Sequence, residues 1–120
     1  RQTDREGNAL MVSRFVPDAG DLIWINFDPV EGHEQGGHRP AVVLSPFAYN
    51  NKTGLLLCVP CTTKVKGYPF EVELPGERDG VALADQITCV DWRARKVEKK
   101  GKVATGELSE IRAKAKALIG

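Results

Sequence analysis

The sequence predicts a mainly β fold, a small and strongly bent antiparallel sheet or barrel closed by a C-terminal helix. Three observations predict it. Short apolar runs separated by Gly, Pro and Asn clusters recur from Asp21 to Trp92. Tyr68, Phe70, Val72 and Leu74 alternate with Glu71 and Glu73, the pattern of a half-exposed strand. A helical repeat occurs only at the end of the chain.

The elements follow in order. In Asp21–Asp28, Ile23, Ile25 and Phe27 share one face under the two-residue strand period. From Pro29 to Pro40 almost nothing is apolar, and Gly32, Gly36 and Gly37 flank His33 and His38; this must be a loop. Ala41–Ser45 and Leu55–Val59 are continuous apolar runs fit for buried strands, with a turn expected at Asn50–Gly54 between them. Gly76–Gly80 reads as a further turn and Val81–Trp92 as one strand or two. Leu108, Ile111, Ala115 and Leu118 recur at helical spacing, with Thr105 as the expected N-cap. Glu107 and Glu110 precede Arg112, Lys114 and Lys116, the order that the helix dipole prefers.

At 120 residues the chain holds one domain's worth of core. Residues 1–10 show no hydrophobic period and are expected to be an extension, with 11–120 forming a single domain. No apolar run approaches the ~20 residues of a membrane helix, and no charged-then-apolar signal opens the chain, so a cytoplasmic location without membrane attachment is expected. Cys58 and Cys61 have C-x-x-C spacing but end an apolar run; with Cys89 they make an odd number, and reduced, buried core thiols are expected.

Charge is unevenly spread. Met11–Trp92 carries 6 Lys/Arg against 11 Asp/Glu, whereas Arg93–Gly120 carries 9 against 3. A basic final quarter suits a polyanion or an acidic partner, or simply a solvated helix face.

The densest reactive cluster is Gly32-His33-Glu34-Gln35-Gly36-Gly37-His38-Arg39-Pro40. Its glycines let a ligand approach the backbone, and Pro40 restricts the chain where Arg39 leaves the loop. The second cluster is Pro60-Cys61-Thr62-Thr63-Lys64, where a strand-end hydroxyl can touch a phosphate or cap backbone groups. His33, His38 and Glu34 lack a fourth ligand, so no metal site and no cofactor are expected. No G-x-S-x-G, H-E-x-x-H or P-loop string is present.

These strings carry a resemblance. Pro17-Asp18-Ala19-Gly20-Asp21-Leu22-Ile23-Trp24, the Gly32–Ser45 segment, Asn50–Gly54, Cys58–Thr63, Lys66–Val72 and Asp79–Gln86 are similar to the MazF/PemK family of toxin endoribonucleases. The similarity runs from Met11 to Gly120, and the G-x-E-Q-x-G-x-R-P string is specific to that family. The resemblance implies a homodimer on an SH3-like barrel, a toxin of a type II toxin–antitoxin pair that cleaves single-stranded RNA at a short sequence without metal. It also implies inhibition by a labile antitoxin with an acidic tail, as well as growth inhibition by mRNA cleavage. By the same resemblance Arg39 and Thr62 act in cleavage, with Glu34 and His38 in supporting roles. The chain departs at Asn26, where its relatives tend to carry an acid, and at Lys64-Val65, where they carry small polar residues.

The chemistry suits the cluster. In metal-free RNA cleavage the ribose 2′-OH attacks the adjacent phosphorus. Arg39 can set its planar fork on two phosphoryl oxygens, and Thr62 can donate to the same group. Arginine is an odd proton shuttle, whereas an imidazole titrates near neutral pH in general, so the division of acid–base work between Arg39 and His38 stays open. Neither Arg39 nor Thr62 is expected in the core. Candidate substrate-binding residues are Trp24, Asn26, Gln35, Gly37, Asn50, Lys64, Lys66, Arg93 and Arg95. The alternative from another class is a non-catalytic SH3-like toxin module that acts by binding a protein target.

Overall fold

The computed structural model describes residues 15–29, 31–76 and 80–120. The expected extension over residues 1–10 lies outside the described residues. Seven strands are present among those described: β1 (Asp21–Asn26), β2 (His38–Val43), β3 (Leu55–Thr62), β4 (Glu71–Glu73), β5 (Val81–Leu83), β6 (Thr88–Asp91) and β7 (Glu98–Lys102). Two helices join them, α1 (Phe47–Thr53) and α2 (Thr105–Ile119).

Every pairing is antiparallel. β1 and β2 pair from Leu22↔Val42 to Asn26↔His38, and β2 meets β3 from Ala41↔Pro60 to Val43↔Cys58. The other edge of β3 is divided along its length. Leu55–Cys58 holds β6, while Cys61 and Thr62 hold β5. β4 lies outside β5, and β7 outside β1. The sheet therefore runs β4-β5-β3-β2-β1-β7, with β6 beside β5 on β3. It is open, a bent sheet rather than a closed barrel.

Both faces are buried, which is why the central strands read as continuous apolar runs. Leu22, Val42, Val59 and Cys61 pack with Val72, Leu74, Ala82 and Ile111 of α2 on one side. Ile23, Ile25, Ala41, Val43, Leu56 and Cys58 pack with Val90 and Trp92 on the other. Cys58 and Cys61, three apart on one strand, thus occupy opposite faces and cannot form a pair. Both are buried, and burial raises the Cys58 thiol to about 12, with Cys89 nearby adding to the rise. Cys89 is exposed, unlike the buried thiol expected there.

Three local expectations are corrected. Asn50–Gly54 is not a free turn; its first four residues belong to α1, and Gly54 ends the helix in the left-handed region at φ 76°. The partners that make this helix are distant. The Asp18 carboxylate accepts the Phe47 N–H at 2.8 Å, and the Phe47 and Ala19 amides hold the Asp18 carboxyl below its ordinary range. The Tyr68–Leu74 strand shortens to Glu71–Glu73, because the buried Glu71 carboxylate turns back to accept the Lys66 and Gly67 N–H groups at 3.0 and 2.9 Å. α2 begins at Thr105 itself, with Ala104 at the N-cap, whose N–H donates to the Glu107 carboxylate at 2.8 Å. Ile111 and Ala115 face the core, but Leu118 is half exposed. No helix among the described residues is long and apolar enough to cross a membrane.

Candidate active site

The loop between β1 and β2 leaves the sheet at Phe27 and returns at His38. Its neck is closed from several directions. The Phe27 N–H donates to the Gly37 carbonyl at 3.0 Å, and the Gly37 N–H donates to the Asp28 carboxylate at 2.9 Å. Gly37 sits at φ +79°, which a side chain would strain. Farther out, the Gln35 N–H donates to the Gln86 side-chain oxygen at 3.0 Å.

Arg39 stands where the loop enters β2. Its Nε donates to the Gly36 carbonyl at 2.7 Å and its Nη1 to the Cys61 carbonyl at 3.1 Å. Two backbone carbonyls, one in the loop and one on β3, thus aim the fork; among the described residues its other N–H donors meet no acceptor. Extending the β2–β3 register by two residues sets Arg39 across from Thr62. Thr62 is buried at 7 % exposure, deeper than expected for a strand end, and its hydroxyl oxygen accepts the Lys64 N–H at 3.1 Å.

Arg39 and Thr62 line a 240 Å³ cavity together with Gln35, His38, Thr63 and Lys64. A second cavity of 440 Å³ shares Gln35, Thr62 and Lys64 and adds His33, Lys66, Tyr68, Glu71 and Asp85. Glu34 lines a third, of 300 Å³, with Gln35, Gln86 and Arg95. The structure therefore brings Arg39, Thr62, His38, Gln35 and Lys64 together, with Lys66 in the adjoining cavity and Glu34 beyond Gln35. Glu34 is exposed, its carboxylate accepting the Glu31 N–H at 3.1 Å.

His38 stacks on Trp24 with ring centres 5.4 Å apart and planes 5° from parallel. Lys100 Nζ lies 5.4 Å from the Trp24 ring centre, a cation on an aromatic face. Trp24 and His38 thus form a flat platform at the rim. The exposed Asn26 uses its side-chain oxygen to accept the Asp28 N–H at 3.0 Å.

Other expected binding residues are placed elsewhere. Asn50 is corrected outright: it is fully buried, its amide donating to the carbonyls of Pro17 and Ser45 and its oxygen accepting from the Ser45 hydroxyl. Arg93 lies over the Trp92 ring at 4.8 Å and donates to the Asn51 carbonyl at 3.0 Å, away from the Arg39 cavity. Arg95 points into the neck of the loop, toward the carbonyls of Asn26 and Asp28. Sequence reasoning did not assign Gln86 or Asp28, both of which hold this loop. Gln86 is 51 residues from Gln35, and no local spacing announces that contact.

A loop held on a small bent sheet thus sets an arginine fork and a buried threonine among lysines, an arrangement whose chemistry can hold an anionic phosphoryl group. Residues 18–119 match the family model described as PemK-like, MazF-like toxin of type II toxin–antitoxin system, and the chain belongs to that family. It is 70 % identical over 111 residues to the endoribonuclease toxin MazF of Escherichia coli K12, covering 92 % of this chain and all of that one. Among solved structures it is similar to MazF from Deinococcus radiodurans, with a TM-score of 0.84 at 52 % identity over 88 % of this chain and 98 % of the other. It is also similar to the MazE–MazF structure from that organism, with a TM-score of 0.79, 52 % identity and coverage of 88 % and 97 %.

Proposed function

We propose that this chain is a sequence-specific, metal-independent endoribonuclease of single-stranded RNA, the toxin of a type II toxin–antitoxin pair. The observation that carries the reading is the shared cavity of Arg39 and Thr62, with Arg39 held by two backbone carbonyls. The relative with 70 % identity is named an endoribonuclease toxin, which supports the same activity here.

In the proposed reaction the 2′-oxygen attacks the adjacent phosphorus and gives up its proton, and the bond from phosphorus to the 5′-oxygen breaks. Arg39 bridges two phosphoryl oxygens as negative charge builds, and the Thr62 hydroxyl donates to one of them; each such donor is worth roughly 3 kcal/mol. His38, at the rim of the same cavity, is the side chain suited to carrying the proton to the departing oxygen. The Trp24–His38 platform offers a surface on which an unpaired base can stack. Lys64, Lys66 and Lys100 supply positive charge for the backbone.

Labelled RNA incubated in excess chelator tests the reading. Discrete fragments are expected, the 5′ fragment ending in a 2′,3′-cyclic phosphate and the 3′ fragment starting with a 5′-OH. Intact RNA would favour a protein-binding toxin instead, and activity restored only by an added divalent ion would overturn metal independence.

The same reading gives the protein a cytoplasmic place, a homodimeric state and a labile, acidic, MazE-like antitoxin as partner. An acidic extended segment mimics the RNA backbone, so RNA and antitoxin should compete for the groove, each binding more weakly as salt rises. A titration of antitoxin against a non-cleavable RNA at two salt concentrations measures this. A ternary complex with undiminished RNA affinity would place inhibition at a separate site.

A further inference from the structure

We propose that Arg95 is a positioning residue for the loop that carries Arg39 and makes no contact with the phosphate backbone; the inference rests on the RNA-cleaving reading above. Arg95 sits on a rigid support, the turn after β6. The Asp91 carboxylate accepts the Ala94 N–H at 2.9 Å, the Arg95 N–H meets the Asp91 carbonyl at 3.1 Å, and the Val97 N–H meets the Trp92 carbonyl at 3.2 Å. Trp92 anchors the turn in the core, its indole N–H donating to the Asn50 carbonyl at 2.9 Å. Lys96 closes the turn in the left-handed region at φ 54°.

From that support the guanidinium crosses to the end of β1. Nη1 lies 2.7 Å from the Asn26 carbonyl and 3.2 Å from the Asp28 carbonyl. These carbonyls flank the point where the chain leaves the sheet. Hydrogen bonds carry the constraint onward. The Asp28 carboxylate holds the Gly37 N–H, Phe27 holds the Gly37 carbonyl, and the adjacent Gly36 carbonyl receives Arg39 Nε. The line from Arg95 to Arg39 passes through two glycines, whose backbones keep one conformation only when pinned. A charge-assisted donor shared between two carbonyls is such a pin.

Arg95→Met tests the assignment on the full chain. A displaced Arg39 should lower kcat by about tenfold or more, with KM within about twofold of the parent. Arg95→Lys, which keeps the charge but has no fork, should fall between the two. Asp28→Ala should reproduce the loss of kcat, and the double variant should be no slower than the worse single one, because both act on one line of contacts. The salt dependence of binding to an RNA with a deoxyribose at the cut site should be unchanged in Arg95→Met. A lost phosphate contact would instead flatten the slope of log K against log salt by about 0.7. Without RNA, the Gly37 amide should exchange faster in Arg95→Met than in the parent. Weaker binding with a flatter slope and unaltered kcat, or unaltered Gly37 exchange, would overturn the proposal. If the parent chain leaves RNA intact, the enzymatic reading fails, and the exchange measurement still decides whether Arg95 pins the loop.

Discussion

Arg39→Ala is expected to slow RNA cleavage by about two orders of magnitude or more while leaving a cooperatively folded protein. The side chain is half-buried and, among the described residues, bonds to the backbone carbonyls of Gly36 and Cys61. Their loss should lower stability by about 1 kcal/mol, since the space vacated by the guanidinium opens on the cavity and lets water reach both carbonyls. What does not return is the planar fork facing the cavity. Arg39→Lys should therefore recover only part of the rate, because an ammonium cannot bridge two phosphoryl oxygens in one plane. Thr62 calls for a different substitution. It is buried, so Thr62→Val, which keeps the volume and removes the hydroxyl, separates chemistry from packing better than alanine does. It should cost a comparable factor in rate, with a small loss of stability from the unpaired Lys64 N–H. Single-turnover cleavage of a defined RNA, beside thermal melts, measures all three. Near-normal rates for Arg39→Ala with a native melt would show that another group carries the charge stabilisation.

Gly80→Ala should be the most damaging single-methyl change to the fold. Gly80 has φ +81°, and a Cβ there would stand 2.5 Å from the Thr62 carbonyl oxygen and 3.0 Å from the Thr63 Cα. Both atoms are backbone, so no rotamer change relieves the clash. Left-handed strain of about 1–3 kcal/mol adds to the displacement of β3 from β5, and the expected loss is about 3 kcal/mol or more. Because the strand pushed aside is the one carrying Thr62, the activity of the molecules that remain folded should fall as well. Gly76→Ala is the control. Nothing lies within 4 Å of its Cβ position and its φ is not in the left-handed region, so a change under about 0.5 kcal/mol is expected. Urea denaturation of both variants checks the pair; a Gly80→Ala loss no larger than that of Gly76→Ala would refute the argument.

What was readable in the sequence follows from local periodicity. The two-residue period assigned Ile23, Ile25 and Phe27 to one face of β1, and the same rule separates Cys58 from Cys61. The scarcity of apolar residues from Pro29 to Pro40 marked a loop, although its last three residues, from His38, already belong to β2, and the helical repeat at Leu108, Ile111 and Ala115 marked α2. The crowding of Glu34, His38 and Arg39 into one loop was readable too, from residue type alone.

Only the tertiary structure decided which of these residues meet. Arg39 faces Thr62 because β2 and β3 pair at Ala41↔Pro60, and a register is a property of two strands that neither contains alone. Asn50-Asn51-Lys52-Thr53 has turn composition, yet it forms a helix because Asp18 accepts from its start, Pro17 and Ser45 accept from the buried Asn50 amide, and the Trp92 indole donates to the Asn50 carbonyl. Arg95 and Arg93 looked alike as basic side chains near Trp92, but one pins the neck of the loop and the other packs on an indole. A polar side chain's preference for water or for a carbonyl is nearly balanced in free energy. The carbonyl that happens to stand within reach therefore settles its role, and that carbonyl is supplied by the fold.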